Sequence, residues 1–214
     1  MNNKQKDLWE KLAEENSRYY INSDKGRGIT EEEFRDSGRN DYIEHIFSDE
    51  IVMDIPNVSL DPVTIIDLGC GTGRMTEFMN SDFDKVIGVD ISSKMIKNGR
   101  KRLGKSSDIK LIESDGESIP LDDNSVDVVF SYLVFQHIKE KKMVEKNFEE
   151  VYRILRPDGL FKVRIRSDKV DVNKWWGGVN YTEQSIGKLI KEVGFDLLKT
   201  EPVKDYGFWL WLKK

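Results

Sequence analysis

The chain has 214 residues and a net charge of -5, with a pI of about 5.3. This length suits one domain, or one domain with a small appendage, and the acidic balance does not favour a broad nucleic-acid surface. The single cysteine, Cys70, excludes an internal disulfide and suggests a reducing compartment. Residues 1–10 lack the apolar core of a signal peptide, and no apolar stretch approaches the roughly 20 residues that span a membrane. The cytoplasm is therefore the expected location.

Residues 1–60 carry scattered aromatic and aliphatic side chains among many charges. A short amphipathic helix is expected around Leu8 and Leu12, and another over 41–51. We predict that 1–60 form a helical cap, or substrate lid, over the open end of a sheet. This cap would belong to the same domain as residues 61–214.

From residue 63 onward, apolar runs alternate with amphipathic segments, which predicts strands alternating with helices. The predicted strands are 63–68, 85–89, 109–113, 126–131, 160–165, 195–200 and 206–213, and the predicted helices are 74–80, 92–103, 141–155 and 182–193. A turn at 157–159 is expected to end the third helix. The link between the last two strands is short enough to require antiparallel pairing. Strands buried on both faces and separated by helices predict a doubly wound, mostly parallel α/β sheet.

The first strand runs into a glycine-rich turn, Asp67-Leu68-Gly69-Cys70-Gly71-Thr72-Gly73. Glycines let the backbone approach a ligand closely, and the helix that follows offers unpaired N–H groups. The spacing Gly-x-Gly-x-Gly departs from the Gly-x-Gly-x-x-Gly of dinucleotide enzymes. Asp67, just before the turn, suits a cation such as the ammonium of an amino-acid moiety. A purely structural turn is the alternative, and Cys70 reads as a small residue that fits the turn rather than a nucleophile.

Two further acids follow the second and third strands. Asp90 could accept both hydroxyl hydrogens of a ribose, with an N-cap for the helix near Ser92 as the alternative. Asp115 could accept a hydrogen bond from an exocyclic amine such as that of adenine. The alternative for Asp115 is an ordinary Asp-Gly turn with Gly116.

With these motifs in order, the chain resembles the class I S-adenosylmethionine-dependent methyltransferases of the small-molecule type. The resemblance spans about residues 63–213 and is carried by Asp67 to Gly73, Gly88-Val89-Asp90-Ile91-Ser92, Asp115-Gly116, Asp127-Val128-Val129-Phe130-Ser131 and Arg153-Ile154-Leu155-Arg156-Pro157-Asp158-Gly159. It implies a seven-stranded Rossmann-like sheet of order 3-2-1-4-5-7-6, with strand 7 antiparallel. It also implies S-adenosylmethionine as cofactor and S-adenosylhomocysteine as product, with the ribose on Asp90, the adenine on Asp115 and the methionine part on the glycine turn. The predicted cofactor-binding residues are Asp67, Gly69, Cys70, Gly71, Gly73, Asp90, Ile91, Asp115, Gly116, Glu117 and Ser131.

The segment after the fourth strand, 131–138, is where methyl donor and acceptor meet in this family. The Pro-Pro-Tyr type motif of enzymes that methylate amino groups of DNA or of some proteins is absent here, which argues against those substrates. His137 resembles a histidine of many small-molecule members and is the candidate catalytic residue, as a base for a hydroxyl acceptor. The alternatives are that it orders the loop or touches the cofactor. A good nucleophile needs mainly alignment with the methyl donor, and no dedicated base.

Arg164 and Arg166 share one face of the fifth strand by alternation and could grip a carboxylate or phosphate. The alternative is a pair of surface arginines bound to Asp168 or Asp171. Adjacent tryptophans in the following loop, like the tyrosine pair of the cap, could either wall a pocket or close over the core. The predicted substrate residues are Tyr19, Tyr20, Gln136, Arg164, Arg166, Trp175 and Trp176.

The sequence therefore predicts an enzyme that transfers a methyl group from S-adenosylmethionine to an oxygen or nitrogen of a small molecule. The arginines favour an anionic acceptor, such as a phosphorylated or carboxylated metabolite or a glycan precursor, in a pocket formed by the cap and residues 167–181. A nicotinamide-dependent oxidoreductase and a non-catalytic cofactor-binding regulatory protein are the alternatives. The glycine spacing disfavours the first, and the intact set of cofactor residues disfavours the second. We expect a monomer or homodimer with no metal and no nucleic-acid or membrane partner.

Overall fold

A computed structural model describes residues 4–104, 108–168, 171 and 173–214. In this part of the chain, seven strands form one sheet in the order β3-β2-β1-β4-β5-β7-β6, and β7 is antiparallel to both of its neighbours. The strands are β1 Thr64–Leu68, β2 Lys85–Asp90, β3 Ile109–Glu113, β4 Val126–Ser131, β5 Leu155–Arg166, β6 Asp196–Val203 and β7 Gly207–Lys213. The predicted fold class and strand order are confirmed. The chain divides into two compact units, Met1–Ser114 and Asp115–Lys214.

The first unit combines the parallel strands β1, β2 and β3 with five helices. These helices are α1 Lys4–Ile21, α2 Glu31–Tyr42, α3 Glu50–Val58, α4 Thr76–Met79 and α5 Ser93–Leu103. All five residues of β1 are buried, which explains why its apolar run was readable from the sequence. Ser92 caps α5, since its side chain accepts a hydrogen bond from the Met95 N–H.

The N-terminal 60 residues are more helical than the sequence predicted. The expected short helix is the longer α1, which is interrupted at Asn16, where φ is -169°. The Asn16 side chain accepts a hydrogen bond from the Tyr19 N–H (3.1 Å) and so restarts the helix after the break. The single helix predicted over 41–51 is wrong: α2 ends at Tyr42, a π-helical turn follows over Ile43–Phe47, and α3 begins after its own cap.

The helix predicted over 74–80 is also shorter than expected, because it starts at Thr76. Residues 71–75 are instead a continuous turn, in which the Arg74 side chain is buried. Its guanidinium forms an ion pair with Asp41 of α2 (2.6 Å) and donates to the Ser37 hydroxyl (3.2 Å). The turn is thereby anchored to α2 through a charged contact that hydrophobic periodicity does not reveal.

Gly38 is expected to be one of the most sensitive positions of α2. A Cβ added there would lie 2.8 Å from both the carbonyl carbon and the Cγ of Arg74, and closer still to the Arg74 carbonyl oxygen. Gly38→Ala should therefore cost about 1–3 kcal/mol of unfolding free energy, which corresponds to a fall in Tm of about 5 °C. The matched control is Gly28→Ala, where the added Cβ meets nothing within 4 Å. Equal melting temperatures for the two variants would contradict this packing.

The second unit contains β4 to β7 with helices α6 Lys141–Ile154 and α7 Glu183–Val193. Its core includes the edge-to-face contacts of Phe148 with Phe161 (ring centroids 5.3 Å apart) and with Phe195 (6.4 Å). Thr182 and Ser185 form a capping box at the start of α7, and Gly194 ends it in the left-handed conformation.

The turn predicted at 157–159 does not separate α6 from β5, because β5 already begins at Leu155. The residues form an irregularity within the strand instead: Val126 pairs with Leu155, whereas Val128 pairs with Leu160. The last two predicted strands do pair as an antiparallel hairpin. Among the described residues, no helix combines the length and apolar character needed to cross a bilayer.

Candidate functional site

The glycine turn of the first unit folds back over the end of β2. The Gly69 and Cys70 N–H groups both donate to the Val89 carbonyl oxygen (2.7 and 3.0 Å). Gly69, Gly71 and Gly73 all have positive φ, at 82°, 56° and 79°. Only glycine adopts this conformation without strain, so the alternation of glycines is a backbone requirement of the turn.

The structure supports the structural interpretation of Cys70. Its side chain is buried, and burial, with the nearby charges of Asp90 and Asp67, raises the pKa of its thiol. The neighbouring Gly88 leaves the room that this side chain fills, since a Cβ there would lie 2.8 Å from the Cys70 Sγ. A buried thiol with a raised pKa is a packing residue and not a nucleophile.

Asp67 lies at the end of β1 with its carboxylate buried. The Thr76 hydroxyl donates to Asp67 Oδ2 (2.5 Å) from the first residue of α4. Burial raises the pKa of Asp67 to about 6, although this hydrogen bond and the charge of Arg74 act in the opposite direction. A buried carboxylate suits a positively charged ligand group, and the role of Asp67 toward the cofactor stays a prediction.

Asp90 joins the glycine turn to the start of α5. Its Oδ2 accepts a hydrogen bond from the Gly71 N–H (2.9 Å), and its Oδ1 accepts one from the Ser92 N–H (2.8 Å). Burial raises the pKa of Asp90 to about 6, against the lowering effect of these hydrogen bonds. Each carboxylate oxygen keeps a free acceptor position after one hydrogen bond, so the carboxylate can still bind a pair of hydroxyls. The N-cap role considered for Asp90 belongs to Ser92 instead.

The tyrosine pair at the end of α1 packs against Arg27. Arg27 lies over Tyr19 (4.8 Å to the ring centroid) and donates to the Tyr20 hydroxyl (3.2 Å). It is the next residue, Ile21, that approaches the turn, since a Cβ on Gly71 would lie 2.8 Å from the Ile21 Cδ1. A substrate role for the two tyrosines therefore remains a prediction, while Ile21 is a contact that the sequence did not indicate. Ile91, the remaining candidate of this unit, is partly buried at the start of the bend before α5.

In the second unit, Asp115 organises the loop that follows β3. Its Oδ1 accepts hydrogen bonds from the Glu117 and Ser118 N–H groups (2.9 and 2.7 Å), and Gly116 has a φ of 85°. Burial acts against it, but these donors hold the pKa of Asp115 below its usual value. The alternative of an ordered Asp-Gly turn is thus observed, and the adenine role remains a prediction.

This loop is held against α6 by polar side chains. Arg153 donates to the carbonyl oxygens of Leu121 (2.9 Å) and Ile119 (2.8 Å), and Asn147 donates to that of Gly116 (2.9 Å). Arg153 belongs to the motif at 153–159 that carries the family resemblance. These hydrogen bonds give a physical reason for an arginine at this position near the end of α6. Among the other candidates, Glu117 is exposed and Ser131 is fully buried at the end of β4.

His137 lies in a short 3-10 turn after β4 and is buried. Its ring stacks on Trp175 (centroids 6.0 Å apart, planes 14° apart) and lies 2.9 Å from the amide nitrogen of Gln136. Burial, with the charges of Arg166 and Lys139, lowers the pKa of His137 to about 3. The imidazole is therefore neutral at physiological pH and is a very weak base.

The tryptophan loop is fastened to the same 3-10 turn. The Val179 N–H donates to the Ile138 carbonyl (2.8 Å), and a Cβ on Gly178 would lie 2.7 Å from the same oxygen. Trp175 is partly buried by its stacking on His137, whereas Trp176 remains 39% exposed. This packing favours the role of ordering the loop, which is one of those considered for His137, and its catalytic role stays a prediction. Residues 169, 170 and 172 of the predicted pocket segment 167–181 lie outside the described residues.

Arg164 and Arg166 lie on the same face of β5, as alternation predicts, because both guanidiniums reach the ring of Tyr206 (3.9 and 5.2 Å to its centroid). Their environments differ. Arg166 is buried, pairs with Asp168 (3.0 Å) and donates to the Trp176 carbonyl (3.1 Å). Arg164 donates to the Tyr132 hydroxyl (3.4 Å). The pairing predicted with Asp168 is therefore found for one arginine.

Asp41, Glu44 and His45 also come together, with one potential ligand atom from each within 4.8 Å of the others. The buried guanidinium of Arg74 already pairs with Asp41 (2.6 Å), and this positive charge opposes a cation at the same carboxylate. The cluster therefore reads as part of the anchor between α2 and the turn. It gives no reason to add a metal ion to the site.

Comparisons with known proteins identify the same region. A family model described as a methyltransferase domain matches residues 66–163. The malonyl-[acyl-carrier protein] O-methyltransferase of Xylella fastidiosa is 38% identical over 101 residues, which are 46% of this chain and 33% of that protein. Phosphoethanolamine N-methyltransferase 1 of Arabidopsis thaliana is 27% identical over 208 residues, covering 88% of this chain and 40% of that protein. The chain thus spans two fifths or less of the length of these two curated relatives.

A solved structure shows the same fold. The crystal structure of a SAM-dependent methyltransferase from Aquifex aeolicus matches with a TM-score of 0.60 at 19% identity, and covers 86% of this chain and 98% of that one. At 19% identity this structural match shows similarity of fold alone. The family model and the curated relatives show similarity of sequence.

Proposed function

We propose that this chain, which belongs to the class I S-adenosylmethionine-dependent methyltransferases, transfers the methyl group of its cofactor to an oxygen or nitrogen of a small molecule. The observation that carries this proposal is the glycine turn with its two carboxylates. Asp67 and Asp90 both lie at the ends of adjacent parallel strands, and Gly71 is bonded to one of them. Ligands bind at this edge of open α/β sheets.

The residues of the first unit fit the family's cofactor. A buried acid, Asp67, matches the ammonium of the methionine part, and Asp90 keeps acceptor positions for two ribose hydroxyls. Gly69 and Gly71 add no side chains of their own to the turn that the ligand would approach, although Ile21 of α1 comes close to Gly71. When bound, S-adenosylmethionine supplies an electrophilic methyl group on a positively charged sulfur. The protein's part is to fix that group and to align the acceptor with it.

The environment of His137 bears on the kind of acceptor. A histidine with a pKa of about 3 removes a proton from an alcohol poorly, because a general base is most effective near the operating pH. A carboxylate or an ionised phosphate has a free lone pair at neutral pH and needs no such base, and an amine has one once its ammonium form has lost a proton to solvent. The O- and N-methyltransferases among the relatives act, by name, on a malonyl group and on phosphoethanolamine. We assign to this chain an acceptor whose methylated group is an amine, a carboxylate or a phosphate.

Calorimetry separates this function from its two rivals. We expect S-adenosylmethionine and S-adenosylhomocysteine to bind the full chain with one site each, and NAD to show no saturable binding. NAD binding without the other two would replace the proposal with a nicotinamide-dependent oxidoreductase. Cofactor binding combined with no methyl transfer to any amine, carboxylate or phosphate compound in a broad panel would favour a regulatory protein.

A further inference from the structure

Arg164 is a half-buried cation on β5, and its charge partners can be followed through the part of the chain that the structure describes. Across the described residues, no carboxylate forms an ion pair with it, whereas Arg166 on the same face pairs with Asp168 (3.0 Å). Its recorded contacts are the Tyr132 hydroxyl and the rings of Tyr132 and Tyr206. Aromatic rings and a hydroxyl stabilise a guanidinium only in part. An anionic ligand group would therefore stabilise the Arg164 charge further.

Two buried donors at the same place also lack an acceptor. Within the described part of the chain, Arg164 Nε and the Tyr206 hydroxyl are both buried without a hydrogen-bond partner. Leaving a buried polar group without a partner costs free energy, and native structures rarely do so without a functional reason. The two groups belong to side chains in direct contact, since the Arg164 guanidinium lies 3.9 Å from the Tyr206 ring centroid.

The backbone holds these donors in place before any ligand arrives. The Ser167 and Asp168 N–H groups donate to the Tyr206 carbonyl (2.8 and 3.1 Å), which fixes the start of β7 against the end of β5. The cation–π contact with the Tyr206 ring (3.9 Å to its centroid) and the hydrogen bond to the Tyr132 hydroxyl (3.4 Å) hold the Arg164 guanidinium. A rigid guanidinium edge beside a phenolic O–H is a set of donors that matches two oxygens of one anionic group.

We propose that Arg164 and Tyr206 form a subsite for an anionic group of the methyl acceptor, a carboxylate or a phosphate, and that Arg166 supports the tryptophan loop instead. This inference rests on the proposed function in one respect, which is that the bound anion is assigned to the methyl acceptor. The Arg164 guanidinium and the Tyr206 hydroxyl would each donate to an anion oxygen. Arg166 is the weaker candidate ligand, because Asp168 lies at ion-pair distance from its Nε (3.0 Å) and the Trp176 carbonyl accepts a hydrogen bond from its Nη1 (3.1 Å), although this Nε also has no hydrogen-bond partner among the described residues.

The test is a titration of the full chain with inorganic phosphate and, separately, with malonate, followed by calorimetry at constant ionic strength. We expect at least one of them to bind with a Kd of about 1 mM. Arg164→Gln should weaken that binding about 10-fold or more, because a charge-assisted contact is lost. The matched control is Arg156→Gln, since Arg156 lies on the same strand but pairs with Asp127 (2.7 Å). The tighter of the two anions identifies the chemical class.

A second variant guards against misfolding. Tyr206→Phe keeps the ring that stacks on Arg164 and removes only the hydroxyl, so we expect an unchanged Tm and about 3-fold to 10-fold weaker anion binding. The subsite is wrong if neither anion binds saturably, or if Arg164→Gln binds as tightly as Arg156→Gln. S-adenosylhomocysteine binding, measured on the same samples, tests the proposed function separately. Loss of the anion site with intact cofactor binding would overturn this inference alone.

Discussion

Asp90→Ala is expected to weaken S-adenosylmethionine binding about 100-fold, because two hydrogen bonds from ribose hydroxyls to a charged acceptor would be lost. The same substitution leaves the Gly71 and Ser92 N–H groups without their acceptor. The turn would therefore lose the contact that ties it to the start of α5. Calorimetry with S-adenosylhomocysteine measures the effect without any need to know the methyl acceptor.

Asp84→Ala provides a matched control for this prediction. Asp84 also accepts a backbone hydrogen bond, from the Val63 N–H (2.8 Å), but it lies before β2 and thus at the opposite end of the strand from Asp90. Its loss should lower Tm while leaving cofactor affinity unchanged. An Asp90→Ala protein that binds S-adenosylhomocysteine as well as the Asp84→Ala protein does would remove Asp90 from the ribose role.

The sheet was predictable because its information is local in the sequence. The strands at 109–113 and 126–131 were predicted to the residue, since each is a short run with a clear apolar pattern between polar turns. The antiparallel hairpin of β6 and β7 followed from a link too short for a crossover. Errors in this part of the chain concern where elements begin and end, as at Leu155, where β5 starts, and at Val203, where β6 ends.

The helices of residues 1–60 were harder to predict for a physical reason. The buried residues of α2 are Phe34, Ser37, Gly38 and Tyr42, so half of its buried face carries no large apolar side chain. Gly38 packs by close backbone approach to Arg74, and Asp41 packs through an ion pair. Contacts of this kind leave no hydrophobic period in the sequence.

Some features of the candidate site could likewise be predicted from the sequence, and others could not. The glycine turn and Asp90 could be read because a strand, a turn and an acid follow each other at fixed spacing. The different environments of Arg164 and Arg166 could not be predicted from the sequence. They depend on Tyr206, which is distant in sequence, and on which of the two arginines forms the ion pair with Asp168. The role of Thr76 as the hydrogen-bond donor to Asp67 depends likewise on the tertiary fold.

Acidification is expected to weaken cofactor binding about 100-fold between pH 8 and pH 5. The pKa values of Asp67 and Asp90 are both raised to about 6, mainly by burial. In the proposed roles only the ionised carboxylates would bind the ammonium and the ribose hydroxyls, so affinity should be full well above pH 6 and should fall as each group takes up a proton. At pH 5 each carboxyl with this pKa would cost about 10-fold in affinity, which gives the combined effect.

The stability of the free protein should respond to these two groups with the opposite sign. A carboxyl whose pKa is higher in the folded protein than in the unfolded chain contributes stability at low pH, and this contribution is lost as pH rises through about 6. His137, with a pKa lowered to about 3, opposes this, because its contribution is lost as pH falls from about 6.5. Tm of the free protein is therefore an unsuitable measure of the two acids, and calorimetric affinity is the suitable one.

The Asp67→Asn variant divides the pH effect between the two carboxyls. It removes one titrating group and keeps Asp90, so its affinity for S-adenosylhomocysteine should change only about 10-fold between pH 8 and pH 5. Asparagine can still accept a hydrogen bond from the Thr76 hydroxyl, which preserves the contact that holds this side chain. An affinity of the unmodified chain that stays constant from pH 8 to pH 5 would mean that neither carboxylate faces the cofactor. A full 100-fold dependence in Asp67→Asn would assign the entire effect to other groups.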